Sequence, residues 1–373
     1  MALRASKPAF NVREKLTELG RRFGLKGSEL AAAETVQEAR EIVSAGRRNV
    51  IINGNFDVWQ RATSTTGALS NSYASADRWM FNTRSLTTRN ISRQAFTNGQ
   101  TDVPGNPKYY LRFEASNDSG SYGAYIMQRI EDVRVGSGED VTVSFYAKVN
   151  SGGGTFDVGF SQQFGSGGSS ATDTTAGSFI PTSSWKKYSF TTSLPSISGK
   201  TIGTNNYLRL DIRFPSNTAA TFDVSQVQVE KGRNATDFEH RSYGEELALC
   251  QRYYQTINES TLFGGSYWGS SANSAWQYSG TGGSCRIYFT TTMRTHPTAL
   301  VVGSLSSSPG TDGTIGAYGN AAWMNPSSIT ATETTKNSVR INLEGLSGSG
   351  KDAFGLYFYG TSLTSNITLT AEL

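Results

Sequence analysis

The chain has 373 residues, enough for two or three domains, because a single hydrophobic core rarely grows past about 250–300 residues. Its 40 glycines and only 17% charged residues favour many short strands joined by tight turns over helical packing. The net charge of +4 sits entirely in residues 1–48, which hold ten Lys/Arg and six Glu, and those charges alternate in sign instead of clustering, so no nucleic-acid partner is expected. Cys250 and Cys285 have neither metal-ligand spacing nor a disulfide framework around them and read as buried apolar thiols. The first residues lack a secretory apolar core and no 18-residue apolar run occurs, so a soluble, non-exported chain without membrane insertion is expected.

Residues 1–48 form the first part. Val12, Leu16, Leu19 and Phe23 recur at spacings of four, three and four, the seam of an amphipathic helix. A second helix is predicted after Ser28 as cap, with Leu30, Val36, Ala39 and Val43 along it and Gly46 ending it. Such short helices are marginal alone. Their apolar faces are therefore expected to bury against another copy or another protein, or else against the chain's own β domain.

The second part, residues 49–233, opens with "NVIINGNFDVWQR" and continues through "ADRW" at 76–79. Period-two strands bounded by Gly, Asn, Ser or Pro follow at 109–116, 124–133, 140–149, 155–164, 186–194, 206–214 and 222–232. Seven or more short strands without intervening helices predict an antiparallel β-sandwich, specifically a jelly roll.

"NGNFDVWQR" followed about twenty residues later by "ADRW" resembles the opening of bacteriophage tail-fibre and virion structural proteins that carry a carbohydrate-binding, galactose-binding-like jelly roll. The third part, 234–256, resembles the linker that follows such jelly rolls. There Ser242 is placed to cap a short helix, Glu245 and Glu246 occupy its first turn, and Leu247, Cys250 and Tyr254 share a face. His240 lies ten residues before Cys250 in different local structure, and no third group orients it, so the stretch reads as a mechanical joint and not as a Cys/His active site.

The fourth part, 257–373, is predicted to be a second β-sandwich, with strands in "SCRIYFTTTM", "TALVVGSL", "SVRINLEGL", "FGLYFYGTSL" and "NITLTAEL". "YFTTTMRTHPTAL" is similar to the recurring strand and turn of distal phage-fibre domains. His296, directly before Pro297, is expected to be extended and structural. "GLSGSGKD" at 345–352 matches a phosphate-binding loop up to its last position, but Asp352 replaces the Ser or Thr that would hold magnesium and a strand follows, so it reads as a hairpin loop.

Sugars present apolar C–H faces and hydroxyl edges, so a glycan site needs an exposed aromatic plane beside Asn, Asp, Gln or Arg. Trp268, Trp276 and Trp323, expected in Gly/Ser/Asn-rich loops, are with Tyr278 the glycan-binding candidates, whereas Trp185 reads as a structural strand-entry residue. Glu114, Glu131, Asp157, Asp211 and Asp223 are unplaced carboxylates that would serve a glycosidase only as a facing pair. No catalytic residue, resident metal or cofactor is expected beyond structural calcium.

The resemblance implies a phage virion protein of the tail-fibre, receptor-binding type, not an enzyme. It would be assembled as a homotrimer, attached to phage tail proteins through residues 1–48, and directed at host surface polysaccharide. The alternatives are a purely structural virion component (tail nozzle, adaptor or capsid-decorating protein) and a glycan depolymerase.

Overall fold

The chain divides into two compact units, Met1–Arg48 and Asn49–Leu373. The computed structural model describes residues 47–67, 70–82, 89–115, 124–216, 218–257, 275–277, 282–302, 304–305, 314–319, 322–324, 326–346, 353–359 and 366–373, with backbone alone at 275–277, 301–302, 304–305, 314–319, 322–324, 353–359 and 366. The helix faces expected at Val12, Leu16, Leu19, Phe23, Leu30, Val36 and Val43 lie outside these residues.

The protein is mainly β, as its alternating pattern requires. The first body contains β1 (Ser64–Thr66), β2 (Met80–Asn82), β3 (Arg89–Ala95), β4 (Tyr109–Ala115), β5 (Tyr125–Glu131), β6 (Asp140–Gly152), β7 (Phe156–Gln163), β8 (Thr172–Phe179), β9 (Lys186–Ser193), β10 (Tyr207–Arg213) and β11 (Ala220–Lys231). Two antiparallel sheets form, one ordered β1-β3-β4-β11-β6-β9 and the other β2-β5-β10-β7-β8. The inner eight strands, β4-β11-β6-β9 facing β5-β10-β7-β8, interleave as the two Greek keys of a jelly roll do.

Alternation places the core between the sheets. Along β6, Val141, Val143, Phe145, Ala147 and Val149 are buried toward the opposite sheet. In β11 the inward set shifts from Phe222 and Val224 to Val227 and Val229. The extra residue is taken up at a bulge, where Gln226 adopts φ +53° and donates its amide to the Pro104 carbonyl at 2.7 Å. Phe156 sits amid Phe179, Phe214 and Phe222, with ring centroids 5.5, 4.9 and 4.7 Å away.

Helix α1 (Tyr243–Gln251) follows, with Ser242 Oγ accepting from the Glu245 N–H at 3.3 Å. Glu246 and Cys250 are its buried residues. The expected third member of that face, Tyr254, instead lies in a strand, because the chain leaves the helix at Arg252.

The second body contains β12 (Tyr254–Ile257), β13 (Ala275–Gln277), β14 (Gly282–Tyr288), β15 (Thr298–Val302), β16 (Ser304–Leu305), β17 (Thr314–Gly319), β18 (Ala322–Met324), β19 (Ser328–Thr332), β20 (Ser338–Glu344), β21 (Ala353–Tyr359) and β22 (Asn366–Thr370). A three-stranded sheet, β12-β22-β15, accompanies a larger one ordered β16-β17-β21-β13-β14-β20-β19, with β18 on β17. Cys285, Ile287, Val339, Ile341, Leu343, Ile367 and Leu369 share one buried cluster.

The reading of 345–352 as a hairpin loop is corrected here. Strands β20 and β21 are not neighbours, since β13 and β14 lie between them. Residues 347–352 of the connection lie outside the described residues, and β21 follows them where a phosphate-binding loop would need a helix.

Phe156 meets rings from both sheets, so Phe156→Ala is expected to cost about 3–5 kcal/mol of unfolding free energy. Urea denaturation followed by tryptophan fluorescence measures it; a loss below about 1 kcal/mol would mean that the sandwich is not held by this cluster.

Candidate functional site

Asn53 anchors the opening motif. It adopts φ +58°, tolerable for Asn, and is fully buried. Its side chain donates to the carbonyls of Val58 at 2.8 Å and Asp77 at 3.0 Å and accepts from the Val58 N–H at 3.0 Å. Its own N–H goes to Glu246 Oε1 at 2.6 Å, and its carbonyl accepts from Trp79 Nε1 at 2.9 Å. Gly54 has no side chain because the Val227 carbonyl occupies the space a Cβ would take.

The rest of the motif grips the end of the chain. Arg61 Nη2 contacts Glu372 Oε1 at 2.9 Å, and Arg78 donates to Glu372 Oε2. The Arg78 side chain is only 1% exposed; its second nitrogen donates to the Arg129 carbonyl at 2.6 Å. Tyrosine rings cover both cations, Tyr253 lying 3.5 Å from the Arg78 guanidinium carbon and Tyr254 3.7 Å from that of Arg61. Burial alone would depress the Arg78 pKa, but Glu372, Tyr73 and Tyr253 raise it above the ordinary arginine value.

Asp77 lies beneath this layer and accepts from the Gln60 N–H at 3.0 Å and from the Gln60 amide. Burial pushes its carboxyl up to about 6, against the pull of Arg61. From the distal side, Arg294 donates to the carbonyls of Ala371 at 2.8 Å and Glu372 at 3.0 Å, while Arg252 pairs with Glu131 at 2.9 Å. Arg241, in turn, bonds the Ile51 carbonyl at 2.9 Å and pairs with Glu246 at 3.3 Å. Residues 241–254 thus form a joint that locks jelly roll and distal body together. Cys250 is buried within it, and burial raises its thiol well above the usual range; the His240 ring lies against that of Phe238, with centroids 5.0 Å apart. A buried, protonated thiol is no nucleophile.

A second cluster lies on the outward face of the β4-β11-β6-β9 sheet. Trp185, just before β9, reaches across the sheet to Tyr110 of β4 and Phe96, with all three ring centroids within 4.7–5.2 Å of one another. The rings are half-buried. Beside them Asp223 is fully buried although it points outward, because Arg112 clamps it through Nε at 2.7 Å and Nη2 at 2.9 Å, Asn150 donates at 2.7 Å, and Lys148 stands 3.7 Å away. Lys148 also lies 5.4 Å from the Trp185 ring. An apolar ring face beside amide, guanidinium and ammonium donors is the combination a sugar requires. The expectation that Trp185 only enters a strand missed this grouping.

Of the four expected glycan residues, Trp268 and Tyr278 lie outside the described residues. The other two stand not in loops but on separate strands of the large distal sheet, Trp276 in β13 opposite Ser284 and Trp323 in β18 opposite Tyr318. The carboxylates considered for hydrolysis each have a partner: Glu114 with Asn90, Glu131 with Arg252, Asp157 with Ser178, Asp211 with Arg209 and Asp223 with Arg112. Burial raises the Asp211 carboxyl against its two arginines. Among the described residues, no group of three or more His, Cys, Asp or Glu is placed to hold a metal ion.

No family and no curated protein matches the chain. Solved structures similar to about half of it include a CBM4 structure (15% identity over 48% of this chain and 98% of that one, TM-score 0.29). The CBM22-1 xylan-binding domain from Paenibacillus barcinonensis is another, at 12% identity over 51% of this chain and 100% of that one, TM-score 0.30. A cyclase from Fischerella sp. TAU aligns at 14% identity over 50% of this chain and 98% of its own, TM-score 0.34.

Two outcomes check the joint. Arg78→Met leaves Glu372 and the Arg129 carbonyl without their buried donor, which is expected to cost about 3–5 kcal/mol. Hydrogen exchange should rise at Tyr253 and Ala371, in the two distal segments that enclose Arg78; exchange unchanged there would refute the lock. The second concerns Asp77, whose folded pKa lies above its ordinary value, so the folded state binds the extra proton and this group's contribution to stability falls as pH rises from about 4 to about 6. Asp77→Asn should remove that component, making the slope of unfolding free energy against pH more positive than in the wild type across that window.

Proposed function

We propose that the chain is a non-enzymatic glycan-recognition protein of the phage tail-fibre type, assembled as a homotrimer on the virion tail through residues 1–48. The observation that carries the reading is the half-buried cluster of Phe96, Tyr110 and Trp185, its rings inclined 41–82° to one another, beside Arg112, Lys148 and Asn150 on an outward face of the jelly roll. Ring faces of this kind stack against sugar C–H groups, and the neighbouring donors match hydroxyl edges. The tail-fibre assignment is supported by the "NGNFDVWQR" and "ADRW" resemblance, of whose residues Asn53, Gln60, Arg61, Asp77 and Arg78 serve the joint.

Recognition by this cluster is polar and stacking-based, in keeping with a body of residues 49–373 whose basic and acidic side chains balance. No bond is made or broken. The five carboxylates considered above are engaged by Arg, Asn or Ser side chains, in keeping with structural roles.

The purified full chain is expected to bind host cells and their extracted surface polysaccharide saturably. Trp185→Ala should weaken that binding by about tenfold or more, about 1.4 kcal/mol, because the ring's apolar face is what the sugar's C–H groups cover, and should not move the unfolding midpoint by more than a few degrees. Absence of binding to cells and polysaccharide alike would favour the structural virion component instead.

A further inference from the structure

The outward face of β14 and β20 in the distal body carries an unusual pairing. Cys285, Ile287, Val339, Ile341 and Leu343 point into the core, so Arg286 and Tyr288 of β14 and Arg340 of β20 point the other way. Arg286 and Arg340 are directly opposite in the antiparallel register, where like charges repel. One carboxylate offsets them. Glu333, just beyond β19, gives Oε2 to Arg286 Nη2 at 3.0 Å and Oε1 to Arg340 Nη1 at 2.7 Å.

That bridging position is bought with backbone strain, because Glu333 holds φ +45°, a region unfavourable for a residue with a side chain. The group is open to solvent, with side-chain exposures of 31% for Arg286, 41% for Arg340 and 53% for Glu333. Two guanidiniums offer about ten N–H donors. Among the described residues, Glu333 and the Ser338 hydroxyl, 3.1 Å from Arg286 Nη1, engage three of them. Tyr288, 70% exposed, stands two residues along the same face from Arg286, a spacing of about 7 Å.

We infer that this cluster is a distal site for a sugar bearing an oxyanion, in which Glu333 occupies the place that the sugar's carboxylate or phosphate takes. The paired guanidiniums read the planar oxygens and the exposed Tyr288 ring stacks on the sugar's C–H face. The inference rests on the glycan-recognition reading and adds a second surface and a ligand class to it. Entry of the sugar swings Glu333 aside and exchanges one carboxylate for another, so the two compete for the same donors.

The test is calorimetric titration of the full chain with an oligogalacturonate, a neutral oligosaccharide of equal length, and a hexose phosphate, each at low and high salt. The oligogalacturonate is expected to bind with an affinity that falls as salt rises, and the neutral oligosaccharide is not expected to use this site. Arg286→Gln and Arg340→Gln should each weaken oligogalacturonate binding by at least about tenfold, and Tyr288→Ala by several-fold. Glu333→Gln should tighten it several-fold by removing the internal competitor, a gain that a merely structural ion pair would not produce. Binding of hexose phosphate with the same variant pattern would support the site and identify phosphate as its anion; oligogalacturonate alone would identify carboxylate.

The inference is overturned if neither anionic sugar binds the wild type or Glu333→Gln, or if the arginine variants bind unchanged. Trp185→Ala separates the two surfaces. Binding lost in Trp185→Ala but kept in Arg286→Gln would leave the jelly-roll reading standing while this one fails.

Discussion

The Arg78 guanidinium is enclosed on every side by groups that belong to other parts of the chain. Glu372 supplies its charge partner, the Arg129 carbonyl a hydrogen bond, and the Tyr253 ring its cover. A buried cation is tolerated only when such partners are all present, since removing one leaves a desolvated charge with no compensation. Neither body can therefore satisfy Arg78 alone. The jelly roll provides the arginine and the strand behind it, while the segments 252–254 and 371–372 from the distal body provide the rest. Arg61 repeats the arrangement with Glu372 and Tyr254, which makes the joint a network in which one carboxylate serves two arginines.

This requirement explains why the opening motif has the residues it has. Asn53 satisfies a tight turn and a helix carboxylate at once, Gly54 clears space for a carbonyl, and Asp77 holds Gln60 and faces Arg61. The sequence marks these positions only as an unusual string, because the distant partners of Asn53, Gln60 and Arg61 lie about 190 to 310 residues away and local spacing carries no trace of them. The reading of 234–256 as a joint was available from Ser242, the acidic first turn and the unsuited Cys/His pair. That Glu246 would be buried as a ligand for the Asn53 N–H was not, since a first-turn glutamate ordinarily faces water.

Legibility of the fold follows burial. All seven strands expected in the jelly roll are present, because each puts alternate apolar residues into one core. Strands β1 and β8, "STT" and "TDTTAGSF", are rich in Ser and Thr and largely exposed or half-exposed, so their pairing leaves no period-two apolar signal. Likewise the order of the distal strands escapes local reading: a Gly/Ser-rich connection looks like a hairpin whether it joins neighbours or, as 345–352 does, strands that two others separate. The aromatic cluster was hidden for a related reason. Phe96, Tyr110 and Trp185 come from three separated segments, and a tryptophan at a strand entry is indistinguishable in sequence from one that lies across a sheet.

A rigid joint changes what two weak surfaces achieve together. Single sugar contacts are weak, and a second contact adds most when no linker entropy is spent in placing it. The Arg78 and Arg61 network holds the aromatic cluster of the jelly roll and the exposed face of β14 and β20 in one compact unit, Asn49–Leu373. The two differ in chemistry, one an aromatic cluster edged by donors, the other a pair of opposed arginines bridged by a single glutamate. Under the two proposals above, a polymer carrying both neutral and acidic sugars engages both surfaces, whereas a polymer lacking either component engages one. On those proposals the joint, through buried pairs that belong to neither surface, is what keeps the two contacts on one unit.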